Sequence, residues 1–453
     1  MPKDRQLTTE SIPRLVRQVA IPASVGYLFH TMYNVVDTYF GGLISTQALA
    51  SLSLSFPVFF IIIAVGMGIS TGATALIANA LGAGEREKAR LIAVQGITFG
   101  ILTSIALTIF GLCISPFLFR LLGASEEYLL MATTYMNTIF WGTLFFLLIN
   151  MLNAILNALG DTRPFRDFLI AGFLLNVLLD PWFIYGGFGV PPMGIFGIAL
   201  ATVLIQCMGC FYMGLKVLGT GLVAGMGWRD LLPKPGPFKE IFRQGFPASL
   251  NMLTVGMGIF VITYFVSQFG KEAVAAYGAA MRVEQMVLVP TIGLNISTLT
   301  LVAQNHGARL FDRVKETVNT GLRYGGVVMA LGTVAVLLLA RPLMTFFSED
   351  ARVIEIGTIY LRIDALVLYG YVVLFVYVAA MQGLKRPMYA VWIGLYRQIV
   401  APVILFWSLT HLLDFGLPAI WWGIFSITWS AALFTLFYAR RLLKKVIRVS
   451  SAD

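Results

Sequence analysis

The chain has 453 residues, 58% of them hydrophobic and only 12% charged, with a formal net charge of +10. That charged share is about half of what a soluble domain carries, which excludes intrinsic disorder and argues against a water-bathed globule. The basic excess sits in short clusters between apolar stretches, which indicates a polytopic all-α membrane protein and no nucleic-acid partner.

Twelve apolar segments are expected as transmembrane helices, over 16–41, 49–81, 90–115, 125–158, 165–186, 194–216, 240–268, 274–305, 319–343, 352–382, 387–409 and 416–439. The N-terminus carries Lys3, Arg5, Arg14 and Arg17 without a small-residue cleavage site and is expected to be a short cytoplasmic segment leading into a retained first span. Together with the two termini, one alternate set of connections carries most of the Lys and Arg: "GEREKAR" (84–90), Arg163 and Arg166, the stretch 229–243, "RLFDRVKE" (309–316) and "KRP" (385–387). Both termini are therefore expected in the cytoplasm. The Pro-, Gly- and charge-rich "WRDLLPKPGPFKE" divides the chain into a first bundle (1–220), a linker (221–239) and a second bundle (240–453).

The halves repeat. A shift of 225 residues carries Pro22 onto Pro247, Gly82–Ala83 onto Gly307–Ala308, Glu87–Lys88 onto Asp312–Arg313, and Tyr135 onto Tyr360. A shift of 223 carries Arg163–Pro164 onto Arg386–Pro387. Matches in one order at nearly one offset indicate a duplication. Because each half has an even number of spans, the repeats run parallel, with a cleft expected between them.

Polar groups inside the spans are the candidate functional residues, since a carboxylate in hydrocarbon must be protonated, paired or wet. Asp37 follows Asn34 by three and Tyr33 by four, so the three share one helix sector. Asn176 and Asp180 lie four apart in the fifth span, and Thr202 in the sixth adds a hydroxyl. Two acids with amide and hydroxyl oxygens suit a proton or a sodium ion; the plainer role is to hydrogen-bond helices together. In the second half, the helix matching the first span carries Asn251 and Thr254 but no acid. Glu284 and Asp364 are instead the buried acids there, with Arg282 and Arg362 near them in sequence. They serve either a substrate path and conformational coupling or structural helix contacts. Met257 and Met286 offer adaptable surface or ordinary packing.

Other chemistries find no support in the pattern. "LGAGEREKAR" lacks the Lys-Ser/Thr ending of a phosphate loop and reads as a tight turn. Cys113, Cys207 and Cys210, like the isolated His30, His306 and His411, form no zinc pattern. No enzyme activity and no cofactor are expected.

Six stretches then carry a resemblance: "ANALGAGEREKAR" (78–90), "LNALGDTRPF" (156–165), "GIALATVLIQ" (197–206), "AAYGAAMRVEQMVLVPTIGL" (275–294), "LVAQNHGARLFDRVKE" (301–316) and "MQGLKRP" (381–387). In this order the chain resembles the multidrug and toxic compound extrusion (MATE) family, and within it the prokaryotic DNA-damage-inducible F branch. The resemblance implies two six-helix bundles in a pseudo-twofold V and a secondary antiporter of the prokaryotic cytoplasmic membrane. Such a protein exports cationic or amphipathic organic compounds in exchange for protons or sodium. The resemblance places the coupling ion at Asp37, Asn176 and Asp180, with Thr202 contributing, and assigns Pro22 to bending of the first helix. Another branch carries acids in the seventh and tenth helices, whereas here only Asp364 remains of that pair. The chain is expected to work as a monomer. The rival functions are a flippase for lipids or lipid-linked precursors and a receptor or scaffold without transport.

Overall fold

A computed structural model of the chain describes residues 7–121, 126–225 and 227–450, so Lys3 and Arg5 lie outside the described residues. The structure is helical throughout. Six long helices fill the first half: α1 (Ile12–Ile44), α2 (Thr46–Gly82), α3 (Arg86–Leu121), α4 (Glu126–Ala158), α5 (Arg163–Tyr185) and α6 (Ile195–Gly219). The second half holds α7 (Pro235–Ser267), α8 (Lys271–Gly307), α9 (Phe311–Phe347), α10 (Ala351–Ala365), α11 (Leu368–Gly383), α12 (Met388–Leu395), α13 (Ala401–Trp407) and α14 (Leu417–Ser450).

Among the described residues, ten helices or continuous helical runs are long and apolar enough to cross a membrane. The pair α10 and α11, bent by 52°, adds an eleventh. The remaining expected span is α1, whose 33 residues include Arg14, Arg17, His30, Asn34 and Asp37. The eleventh expected span is one run, Met388–Leu412, interrupted by π-helical turns at Tyr396–Val400 and Ser408–Leu412. Pro402 explains the first. It has no N–H for the Gln398 carbonyl, and Ala401 N–H reaches back five residues to Tyr396 O. At the break between α10 and α11, the freed carbonyls of Ala365 and Leu366 accept from Thr333 Oγ1 (2.8 Å) and Trp429 Nε1 (3.1 Å).

Two compact units emerge among the described residues: one within 25–249, the other comprising 7–24 with 250–450. The first half of α1 thus belongs to the second unit, and the first half of α7 to the first. In the first unit α2 packs on α3 and α4, and α4 on α6. In the second, α8 packs on α9, α10 and α11, and α11 on α14.

The duplication extends to individual hydrogen bonds. Ser70 Oγ donates to Asn150 O at 2.9 Å, and 225 residues on, Asn295 Nδ2 donates to Phe375 O at 3.2 Å. Thr108 Oγ1 donates to Phe140 O as Thr333 Oγ1 donates to Ala365 O, both at 2.8 Å. A Cβ on Gly68 would collide with Ser249 within the first unit; one on Gly293 would collide with Ser24 within the second. The turn at Gly84 (φ 75°) recurs at Arg309 (φ 57°), and that at Gly160 (φ 74°) at Lys385 (φ 59°).

Within the first unit, the segment after α6 is fastened to α3. Gln95, fully buried, donates from Nε2 to Asp230 O (2.7 Å) and Leu232 O (2.9 Å) and accepts from Lys234 N (2.7 Å). Thr98 donates to Leu231 O and Arg90 to Gly225 O.

Candidate ion-coupling site

Residues 30, 33, 34, 37 and 38 of α1 recur at helical spacing and present His30, Tyr33, Asn34, Asp37 and Thr38 to a cavity of about 160 Å³ within the first unit. Thr202 and Gln206 of α6 complete its polar side, and Phe56, Phe59, Phe146 and Phe168 its aromatic side. From α5, Asn176 and Asp180 come forward four residues apart, both with no exposed surface.

Asn176 Nδ2 donates to Asp37 Oδ1 at 2.8 Å. The carboxyl groups of Asp37 and Asp180 face each other closely enough to share a hydrogen bond once one carries a proton. Asn176 Oδ1 and both Asp180 carboxylate oxygens are buried without a donor. Three acceptor oxygens with nothing to accept from, beside a second carboxylate, form a nest that a proton or a hard cation completes. Tyr33 Oη donates to Thr202 Oγ1 at 3.1 Å, and both Tyr33 and Tyr135 are within electrostatic reach of the two carboxylates. Asn34 Nδ2 donates to His30 O at 2.8 Å.

The second-half candidates form a separate group. Glu284 Oε2 accepts from Tyr360 Oη at 2.8 Å. Asp364, 4% exposed, is within electrostatic reach of Glu284. Met257 and Met286 are 53% and 44% exposed. Pro22 is buried in the second unit, and α1 runs on through it without a break.

Sequence reasoning overlooked several neighbours. Tyr135 and Tyr360 were already paired by the repeat, and that offset was the signal for placing them at equivalent sites. Arg397, inside the span "LYRQIVAP", was another: a cation amid apolar residues two positions past a glycine-containing helix end has to have an acidic partner. His30 and Gln206 carried no signal beyond their helical spacing from Tyr33 and Thr202.

Comparison with known proteins follows the same division. The MatE family model matches residues 22–182 and again 247–407, two segments offset by 225 residues. A probable multidrug resistance protein NorM of Thermotoga maritima is 28% identical over 373 residues, covering 80% of this chain and 78% of that protein. An FAD transporter of Shewanella oneidensis is 26% identical over 399 residues, 88% of each chain. A solved structure of a MOP superfamily transporter from Pyrococcus furiosus aligns over 98% of both chains at a TM-score of 0.92 and 25% identity.

Proposed function

The chain belongs to the MatE family, and from that premise we propose that it exports cationic or amphipathic organic compounds in exchange for protons or sodium. It is a multi-pass membrane transporter of organic compounds, not an enzyme. The finer reading adds ion coupling at Asp37, Asn176 and Asp180, with Thr202 contributing. It also adds membership of the DNA-damage-inducible F-like branch and cytoplasmic termini.

The observation that carries this reading is the Asn176–Asp37 hydrogen bond beside the donor-less oxygens of Asp180 and Asn176. Ion binding there neutralises charge and fills empty acceptors. It therefore stabilises whichever conformation closes this nest, and an organic cation attracted to the same carboxylates competes for it. Both ligands bias one two-state equilibrium, which is the requirement for exchange. With the membrane potential negative inside, each proton or sodium ion entering contributes about 2.3 kcal/mol per 100 mV.

Relatives are named for multidrug resistance and for FAD transport. The first-unit cavity favours the former class for this chain. Its lining pairs Asp37 with a wall of aromatic rings, and no Lys or Arg is among the lining residues, as a polyanion would require.

The test is efflux of a cationic dye from proteoliposomes under separately imposed proton and sodium gradients. One gradient drives transport in the parent protein, and Asp37→Asn abolishes that drive. Full gradient-driven transport in Asp37→Asn refutes the assignment.

A further inference from the structure

The hairpin that joins α5 to α6, "GGFGVPPMG" (186–194), puts a bulky residue where the backbone resists one. Gly187 and Val190 exchange N–H···O bonds of 2.9 and 3.0 Å, and the two residues between them, Phe188 (φ 53°) and Gly189 (φ 87°), both take positive φ. That is the pattern of a type I′ turn, in which Asn-Gly is a favoured pair. Phenylalanine in left-handed geometry is strained, because its Cβ crowds the following carbonyl. Its ring recovers nothing inside the protein, since Phe188 is fully exposed. A turn that carries both strain and an unburied ring points to something outside the chain that takes the ring.

The face of α5 that leads to the turn shows what that is. Leu174, Leu178, Trp182 and Tyr185 recur at helical spacing and are exposed, whereas Asn176 and Asp180 are buried on the other side. The exposed stripe is wholly apolar up to Trp182, as a lipid-facing surface is. Asp180 is the sole charged residue between Asp167 and Lys216. Arg166 and Tyr185 are separated by about 28 Å along the helix, close to the roughly 30 Å of a bilayer's hydrocarbon core. With Arg166 at one boundary of that core, Tyr185 and the hairpin reach the other, where Trp and Tyr rings gather.

The backbone of the hairpin suits such a place, because an irregular segment enters a bilayer only where its polar groups are paired. Gly186, Gly187, Val190, Met193 and Gly194 each donate N–H to a backbone carbonyl, and Pro191 and Pro192 have no N–H to pair. Trp182 Nε1 donates to Gly187 O at 2.9 Å, which ties the turn to the end of α5. We propose that the 186–194 hairpin is a membrane anchor. Phe188 inserts into the interfacial region of the bilayer beside Trp182 and Tyr185, and holds the end of the helix that carries Asn176 and Asp180 at that boundary. The partner is the lipid headgroup–acyl boundary, engaged through aromatic rings and not through headgroup charge. Anchoring of this kind requires α5 to span the membrane and is independent of ion coupling at Asp37.

The experiment uses the full-length protein in nanodiscs of phosphatidylcholine, either plain or brominated on its acyl chains. Phe188→Trp keeps a ring at the tip, and its emission is read as the difference from the parent protein. We expect brominated lipid to quench this added emission about twofold or more, and aqueous iodide to leave it nearly unchanged. Quenching by iodide and not by bromine places the ring in water and overturns the proposal. Quenching by neither places it against protein, whether a lid or a second chain, and overturns it equally. Should Phe188→Trp not fold, Phe188→Cys carrying a nitroxide decides, with Cys113, Cys207 and Cys210 replaced by alanine. Its collisions with oxygen must exceed those with a water-soluble nickel chelate; dominant nickel collisions, or few of either kind, refute the anchor.

Discussion

Asn176 holds Asp37 across 139 residues of sequence with a 2.8 Å hydrogen bond. The same amide leaves its oxygen buried without a donor, turned to accept from whatever the two carboxylates bind. Asn176→Ala therefore removes both an orienting donor and an ion ligand. A hydrogen bond to a charged group contributes about 1.5–3 kcal/mol, so gradient-driven dye transport should fall roughly ten- to a hundredfold. Transport rates in proteoliposomes at matched protein content check this, and a rate within twofold of the parent would count against the geometry.

Tyr33 and Thr202 form the milder part of the site. Tyr33→Phe loses one neutral hydrogen bond of 3.1 Å, about 0.5–1.5 kcal/mol. We expect a two- to tenfold rise in the ion concentration for half-maximal transport, with thermal stability little changed. Adding Thr202→Ala should cost less than its separate effect, because both changes delete the same bond. Strict additivity in that double-mutant cycle would show that the bond is not what matters.

The Gln95 clamp predicts a structural phenotype remote from the cavity. Gln95→Ala strands the carbonyls of Asp230 and Leu232 and the amide of Lys234. Some of these regain water, so the expected loss is about 2–4 kcal/mol. The sign is a lower midpoint of thermal unfolding, together with faster proteolysis at 228–234 in detergent-solubilised protein. Proteolysis at the parent rate would mean the segment is held by something other than Gln95.

Gly68 and Gly293 should behave as a pair. Alanine at either brings a Cβ into a serine-bearing helix, at Ser249 for one and Ser24 for the other. Backbone lies at both contacts, so the helices have to separate rather than a side chain swing away. Both substitutions are expected to lower the unfolding midpoint by several degrees and to reduce the yield of folded protein. A large effect at one and none at the other would show that the repeat's symmetry is only in the backbone trace.

Much of this was legible in the residues. Hydropathy located the spans because a bilayer demands long apolar runs, and the 225-residue offset now reappears in matched hydrogen bonds such as Ser70 to Asn150 and Asn295 to Phe375. Asn176 and Asp180 were readable as one helix face. That they meet Asp37 was not, since helical spacing says nothing about which helix lies opposite. Glu284 was harder still. Its neighbours in sequence, Arg282 included, are irrelevant to it, and its partners come from α10, α11 and the π-helical turn. The break after α10 also escaped notice, because "IDALVLYG" contains no proline and its only glycine falls after the bend.

The turns at 309 and 385 carry one more implication. Their partners at 84 and 160 are glycines, for which a positive φ is free of strain. Arg309 and Lys385 take up the same left-handed geometry without that freedom. What holds them is the surrounding scaffold: Leu310 N–H reaches Asn305 O at 2.8 Å as Glu85 N–H reaches Ala80 O at 2.9 Å, and Arg386 N–H reaches Met381 O as Asp161 N–H reaches Leu156 O. After duplication, the path of the chain has proved more heritable than the residue that made the path easy.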